Sequence, residues 1–312
     1  MANLHVQLAG LALPNPIIAA SGVYGFGREF ADFYPLSLPG AIIAKGMTLK
    51  PNPGNPVPRI AETPAGMLNS IGLENPGTDA FLAEELPWLK KQGARVVANI
   101  SGHTPAEYEE ISRRLSEAEG LDAIEVNISC PNYDQGGMFF GVDPILAAQV
   151  TGLVRKHCRI PLIVKLTPNV TDVTVIAKAV AAEGADALSL INTLLGMAID
   201  TKTRKPVLAR QVGGLSGPAI KPVALRMVWQ VAQAVSLPII GIGGAVSAED
   251  AIEFILAGAT AVAVGSGNLV NPYCIPEIIE GVGAWLDREG YASVGDIRGL
   301  ALPQPPSHDE IV

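Results

Sequence analysis

Short apolar runs recur along the chain, and most are followed by a stretch with helical spacing. The runs are rich in Val, Ile and Ala and do not alternate with polar residues, which is typical of parallel strands buried on both faces. Strands are predicted to end near Ser21, Lys45, Asn99, Asn127, Lys165, Ile191, Gly241 and Val264. Eight strands alternating with helices predict an α/β fold, a single (β/α)₈ TIM barrel.

Helices are predicted between the strands, over residues 104–119, 144–157, 171–183, 221–234 and 248–257. Two of them begin with recognisable capping residues. Thr104 precedes Pro105 and lies three residues before Glu107, which is the pattern of an N-cap with a capping box. Ser247 and Asp250 have the same spacing.

Three connections are longer than a βα unit requires: residues 50–77, 131–142 and 194–219. Each follows the carboxyl end of a strand, the face on which barrels place their active sites. We therefore expect these long βα loops to form a lid or the walls of a site. The whole chain, residues 1–312, is expected to be one barrel domain, with residues 302–312 as a loose tail.

Composition narrows the class of protein. Hydrophobic residues make up 48% of the chain and charged residues 17%, so a large core is possible. The net charge is −8 and no basic cluster occurs, which argues against binding to nucleic acid. No signal peptide or membrane span is recognisable. Three scattered cysteines favour a reducing compartment, and the cytoplasm is expected.

Polar residues stand where the apolar strands end. Because parallel strands of a barrel end on one rim, these side chains are predicted to gather around its mouth. They are Ser21, Lys45, Asn99, Asn127, Lys165 and Asn192. Such a constellation indicates a binding or catalytic site, since a purely structural barrel does not need it.

The last two strands end in glycines. GIGG occupies residues 241–244 and GSG occupies residues 265–267. Loops in these positions commonly bind phosphate through backbone N–H groups, and glycine allows a close approach. No GxGxxG in a βαβ context is present, so a Rossmann dinucleotide site is not expected.

Two lysines and one cysteine leave several chemistries open. Lys165 could form a Schiff base, or it could neutralise the charge of a reduced flavin, and either rim lysine could instead snorkel from its strand. Cys130 follows a strand end and could be a nucleophile or a general base. No residue spacing supports a metal site, and no histidine follows in a Cys/His hydrolase pattern.

Several long motifs accompany the GIGG and GSG loops: AKGMTLKPNPGNPVPR (44–59), MLNSIGLENPG (67–77), NISCPN (127–132), NTLLGMAID (192–200) and GGLSGPAIKPVALR (213–226). Together they resemble the dihydroorotate dehydrogenase family, and the resemblance spans nearly the whole chain. It is greatest for the catalytic subunit of the NAD-linked, two-subunit class (class 1B), and the fumarate-reducing class is less similar. The membrane-bound class carries Ser where this chain has Cys130.

The resemblance implies FMN across the barrel mouth and dihydroorotate stacked on it. FMN would be bound by Ser21, Lys45, Gly46, Asn99, Asn127, Lys165, Ile191, Gly217, Gly243, Gly244, Gly265 and Ser266. Dihydroorotate would be bound by Lys45, Asn69, Ser70, Ile71, Gly72, Leu73, Asn127, Asn192 and Thr193. Cys130 would remove the proton from carbon 5 while hydride leaves carbon 6 for the flavin.

The resemblance also implies a place in pyrimidine (UMP) biosynthesis and a partner. A separate subunit with FAD and a 2Fe–2S cluster would pass the electrons to NAD, in a heterotetramer of two copies of each chain. Three cysteines are too few for such a cluster in this chain.

Three other functions compete with this interpretation. A Schiff-base lyase would use Lys165 and be colourless, whereas a flavoprotein is yellow. A non-catalytic flavin-binding subunit would have no need of Cys130. A flavin barrel acting on uridine in RNA would require a basic surface, which the net charge of −8 disfavours.

Overall fold

The chain folds around a closed barrel of eight parallel strands, which confirms the predicted (β/α)₈ architecture. The computed structural model describes residues 1–129 and 140–303. The strands pair in chain order, and the last pairs with the first, with Val262 opposite Ile17. They are β1 (Ile17–Ala19), β2 (Ile42–Ile43), β3 (Val96–Ile100), β4 (Ala123–Asn127), β5 (Leu162–Lys165), β6 (Ala187–Leu190), β7 (Ile239–Ile242) and β8 (Ala261–Val264).

Helices follow the strands and form the outer layer. All five predicted helices are present, with ends within three residues of the predicted ones. The helices are α1 (Ser21–Tyr24), α2 (Leu86–Lys91), α3 (Pro105–Ser116), α4 (Pro144–His157), α5 (Val173–Ala182), α6 (Lys221–Ala234), α7 (Ala248–Leu256) and α8 (Cys274–Glu289). Shorter helical segments are Phe30–Asp32, Thr78–Ala80, Phe81–Glu85, Pro218–Ile220, Gly267–Val270 and Val294–Ile297. Within the described residues, none of the helices has both the length and the apolar character that crossing a membrane requires.

The two predicted caps differ in detail. Ser247 and Asp250 form a complete capping box at the start of α7. Thr104 caps α3 by accepting a hydrogen bond from the N–H of Glu107. The carboxylate of Glu107, however, accepts from the N–H of His103 at 2.6 Å, so the return bond is displaced by one residue.

Two of the long connections contain β-strands. Residues 50–77 and 194–219 contribute two strands each to one antiparallel sheet beside the barrel mouth. Its strands, in spatial order, are Leu194–Met197, Val212–Ser216, Gly66–Asn69 and Ile60–Thr63. Two small pairs lie elsewhere: Val6–Leu8 with Leu11–Leu13, and Ile199–Asp200 with Lys205–Pro206. Most of the third connection, and residues 304–312 of the expected tail, lie outside the described residues.

The barrel strands are buried on both faces, as their apolar composition predicts. Every residue of β3, β4, β5 and β6 is buried. Polar residues interrupt the apolar interior, and three of them are fully buried: Asn99 of β3, Glu125 of β4 and Ser189 of β6. A buried carboxylate requires partners, and Asn99, Ser189 and Lys165 are those of Glu125.

Asp250 links α7 to the turn that follows β7. Its carboxylate accepts hydrogen bonds from the N–H groups of Val246 and Ser247 and from the Lys221 ammonium at 2.6 Å. Burial raises the pKa of Asp250, but these hydrogen bonds outweigh burial and hold the pKa below its ordinary value. The stabilisation they supply is therefore present above the ordinary pKa of 3.8 and is lost as the pH falls further.

We predict that Asp250→Asn lowers the free energy of unfolding by about 1–3 kcal/mol at pH 7, because two backbone donors and an ammonium lose a charged acceptor. Urea unfolding at pH 7 and at pH 3 should show the difference shrinking at the lower pH. The control is Asp79→Asn, whose ion pair with Arg114 is exposed, with an expected loss within about 0.5 kcal/mol. An equal loss at both pH values would contradict the assignment.

Candidate active site

A cavity of about 420 Å³ opens at the carboxyl ends of the barrel strands. Its size lies in the range of small-molecule sites, roughly 300–1,000 Å³. The structure brings nearly all the predicted site residues together around it. These are Ser21, Lys45, Gly46, Asn69, Ile71, Gly72, Leu73, Asn99, Asn127, Lys165, Ile191, Asn192, Thr193, Gly217, Gly243, Gly244, Gly265 and Ser266.

Among the described residues, one predicted site residue is not part of this lining. Ser70 is fully buried and does not line the cavity. Cys130 lies outside the described residues, whose segment ends at Ser129 and resumes at Phe140. The other two cysteines are buried and do not line the cavity. Burial raises the pKa of the Cys158 thiol, and raises that of Cys274 to about 11, so both remain protonated at neutral pH.

The two glycine loops contribute backbone N–H groups to the lining of the cavity. Those of Gly243, Gly244, Gly265 and Ser266 donate to no other described residue. Gly243 and Gly244 have φ values of 132° and 78°, which favour glycine. A Cβ at Gly265 would meet nothing closer than the Ala20 Cβ at 3.8 Å, so the space before it is open. Unpaired amide donors in a glycine loop suit an oxyanion such as phosphate.

Lys45 supplies a positive charge to the cavity. Burial lowers the pKa of its ammonium group, an effect that nearby Glu74 partly opposes. The ammonium forms no hydrogen bond or ion pair with the residues that the structure describes. An anion bound in the cavity would raise the pKa of Lys45 again, because an opposite charge favours the protonated lysine.

Lys165 supplies a second charge, and it is paired. Its Nζ lies 3.7 Å from Oε2 of Glu125, and both side chains are almost completely buried. Glu125 also accepts from Nδ2 of Asn99 and, at 2.6 Å, from the hydroxyl of Ser189. The strand register explains the cluster, since Asn99 is opposite Glu125 and Lys165 is opposite Ser189.

The carboxyl ends of β4 and β6 are joined by a chain of polar groups. Asn192 Nδ2 donates to Ser129 Oγ at 2.7 Å, and that hydroxyl donates to Asn127 Oδ1 at 2.8 Å. The backbone N–H of Thr193 donates to Asn192 Oδ1 at 2.8 Å. These bonds fix the side-chain amides of Asn127 and Asn192, both of which line the cavity.

The wall formed by residues 67–77 is held by the preceding segment. Asn52 Nδ2 donates to the Gly72 carbonyl at 3.1 Å, and Asn55 Nδ2 donates to the Ser70 carbonyl at 3.0 Å. Gly72 has a φ of 77°, and a Cβ there would lie 2.5 Å from the Asn55 side chain. Glycine is therefore required where the wall approaches its support.

Glu125 is not among the predicted site residues, although it contacts two of them, Asn99 and Lys165. It lies within an apolar run, but a carboxylate two residues before Asn127 lies on the same side of the strand. That period-two spacing in AIEVN was the available signal. Further lining residues that were not predicted include Ala20, Val23, Ile60, Met67, Glu74 and Leu269.

Comparison with known proteins shows the family to which the chain belongs. The profile of the family described as "Dihydroorotate dehydrogenase" matches residues 3–286. The chain belongs to this family. A relative from Pelobacter propionicus is 58% identical over 297 residues, 95% of this chain and 98% of its own. Relatives from Geotalea uraniireducens and Anoxybacillus flavithermus are 55% and 54% identical over 96% of this chain, and cover 98% and 96% of their own.

All three relatives bear the name dihydroorotate dehydrogenase B (NAD(+)), catalytic subunit. The family expected from the sequence motifs is thereby confirmed. Because the similarity runs along almost the full length of both chains, the cavity described above lies within the shared fold.

We predict that two glycines of the amide loops differ sharply in their tolerance of a methyl group. Gly244→Ala should lower the unfolding free energy by about 1–3 kcal/mol, because its φ is 78° and the Cβ would lie 2.7 Å from the Gly217 carbonyl oxygen. Gly265→Ala should change it by less than about 0.5 kcal/mol, because its Cβ enters open space.

Denaturant unfolding of the ligand-free protein measures both variants. Gly295→Ala serves as the control, since its Cβ would lie 3.5 Å from its nearest neighbour and outside the cavity. A large loss of stability in Gly265→Ala would show that this glycine is needed by the fold itself.

Proposed function

We propose that this protein is an FMN-dependent dihydroorotate dehydrogenase that oxidises dihydroorotate to orotate in pyrimidine biosynthesis. The observation that carries the proposal is one cavity whose lining includes backbone amides without a described acceptor, the buried Lys165 and the partly buried Lys45. The phosphate of FMN would account for the backbone amides, and its flavin ring, which gains negative charge on reduction, would account for the lysines. The family membership gives the substrate class.

The residues present fit FMN. The amides of Gly243, Gly244, Gly265 and Ser266 would hold the phosphate, since they have no other described acceptor. Asn99 Oδ1 is buried at the cavity without a partner among the described residues, and the N–H of a flavin ring is a suitable donor. When bound, FMN accepts the hydride of the oxidation. The remaining proposed contacts are Ser21, Lys45, Gly46, Asn127, Lys165, Ile191 and Gly217.

The same cavity offers groups for an acidic, amide-rich substrate. Lys45 would pair with the carboxylate of dihydroorotate, which relieves the cost of its burial. The amides of Asn69, Asn127 and Asn192 would bind the ring carbonyls and N–H groups. Ile71, Gly72, Leu73 and Thr193 complete the proposed contacts. Ser70 belongs to the same wall but is fully buried and does not line the cavity.

Cys130 is proposed as the base that takes the proton from carbon 5 of dihydroorotate. Its assignment rests on the NISCPN motif, and the preceding residues support it. Asn127, Ser129 and Asn192 hold the chain at the cavity up to residue 129. The buried thiols of Cys158 and Cys274 cannot replace it, since they do not line the cavity.

We propose NAD as the final acceptor, reached through a separate subunit that carries FAD and a 2Fe–2S cluster. The names of the relatives include both NAD(+) and the words "catalytic subunit". This chain has only three cysteines, so the cluster would be in the partner. The proposed assembly is a heterotetramer with two copies of each chain, in the cytoplasm, where free thiols such as those of Cys158 and Cys274 persist.

The Schiff-base alternative has less support. It requires Lys165 Nζ to meet a substrate carbonyl, whereas this atom lies 3.7 Å from the Glu125 carboxylate. The purified protein should be yellow, and anaerobic addition of dihydroorotate should bleach the flavin. A colourless protein that borohydride links to a carbonyl substrate would replace the proposal with the lyase.

We predict that Cys130→Ala retains FMN but slows its reduction by dihydroorotate at least about 100-fold, because the proton at carbon 5 loses its acceptor. Anaerobic stopped-flow absorbance measures the single turnover. Cys158→Ala is the matched control and should reduce at the wild-type rate. Equal rates for the Cys130 variant and the wild type would remove this thiol from the mechanism.

We predict that Gly265→Ala weakens FMN binding about tenfold or more, because the added methyl group enters the space before the amide cradle. Isothermal titration of the ligand-free protein with FMN and with riboflavin separates the two parts of the cofactor. The loss should be large for FMN and small for riboflavin, which lacks the phosphate. Equal losses for both ligands would place the phosphate elsewhere.

A further inference from the structure

One carboxylate inside the barrel organises two of the residues proposed to bind FMN. Glu125 is fully buried and contacts side chains from three other strands. Its oxygens accept from Asn99 Nδ2 and from the Ser189 hydroxyl, and Oε2 lies 3.7 Å from Lys165 Nζ. It does not line the cavity, so any influence on a ligand passes through these neighbours.

The first influence is on the orientation of an amide. A carboxylate only accepts hydrogen bonds, so Asn99 must turn its NH₂ group toward Glu125. Its oxygen then faces the cavity, beside Gly46, where a Cβ would lie 2.7 Å from Oδ1. A glutamine at position 125 could donate as well as accept, and this orientation would no longer be enforced.

The second influence is on charge. Glu125 and Lys165 form a nearly neutral pair in a buried environment, where charges are poorly screened. A buried ion pair adds little net stability compared with apolar packing, so stability alone does not explain a carboxylate here. Without Glu125, the full charge of Lys165 would act on whatever occupies the cavity.

We propose that Glu125 is a positioning residue that sets the reduction potential of the bound flavin by balancing the charge of Lys165 and orienting Asn99. This inference rests on the proposed FMN-dependent function. Reduction adds negative charge to the flavin ring, so an unbalanced lysine favours the reduced form and an unbalanced glutamate disfavours it.

The test compares Glu125→Gln, Lys165→Met and the double variant by spectroelectrochemical titration of bound FMN. Glu125→Gln should raise the reduced-to-oxidised ratio at the wild-type midpoint about tenfold, or ~30 mV for two electrons. Lys165→Met should lower this ratio by a similar factor. The double variant, which leaves no unpaired charge, should return to within about threefold of the wild type.

Two further variants separate charge from shape. Glu125→Asp keeps the charge but changes the length, and its potential should stay closer to the wild type than that of the isosteric Gln variant. Glu109→Gln removes a carboxylate from the surface of α3 and should leave the potential unchanged. A purely structural role predicts the reverse order, with the Gln variant closer to the wild type than the Asp variant.

Opposite shifts in the single variants and recovery in the double variant support the proposal. Shifts in the same direction, or an unchanged Gln variant, overturn it. If the Gln variant does not fold, Lys165→Met and the double variant still decide, because the second substitution must restore the potential. A wild-type protein that binds no FMN defeats the proposed function itself, whereas a flavoprotein without this pattern defeats only the role of Glu125.

Discussion

Closure of eight parallel strands into one barrel is the constraint from which the site follows. Because the strands pair in chain order around the ring, their carboxyl ends form a single rim. The register then sets which side chains meet. Asn127 lies opposite Lys165, and Asn99 lies opposite Glu125. Residues far apart in the chain thus become neighbours without any dedicated binding domain.

The polar groups around the rim fall into two kinds. Some are satisfied by the protein, such as Asn192 and Asn127, which are joined through Ser129. Others have no partner among the described residues, including the glycine amides, the Lys45 ammonium and Asn99 Oδ1. Asn99 is buried, whereas Lys45 and the residues of the glycine loops are partly buried. Polar groups left unpaired away from bulk water cost free energy, and a bound ligand would recover that cost. The unsatisfied groups suit the proposed ligands, which have an oxyanion and a polar ring.

The barrel strands, the polar rim and the glycine loops could be predicted from the sequence, because each is visible as a local pattern of residues. The strands are apolar runs, and the residues that end them are polar, so the rim could be predicted before the fold was known. The glycine loops after β7 and β8 were equally visible. In contrast, the sheet that joins residues 60–69 to residues 194–216 was not predicted, since its pairing is long-range and its segments are rich in glycine and polar residues. The role of Glu125 also depends on register, which no single segment reveals.

The proposed role of Cys130 rests on the NISCPN motif alone, whereas the roles of the other site residues also rest on their positions around the cavity. Family membership, shown along almost the whole chain, supplies the reaction, while the cavity supplies the physical reasons for the cofactor and substrate groups. The most direct test of the central claim is a crystal structure of the protein purified with its native ligand. We predict electron density for FMN in the cavity, with its phosphate within hydrogen-bond distance of the amides of Gly243, Gly244, Gly265 and Ser266. A different ligand in the cavity, or a phosphate bound away from these amides, would contradict the account.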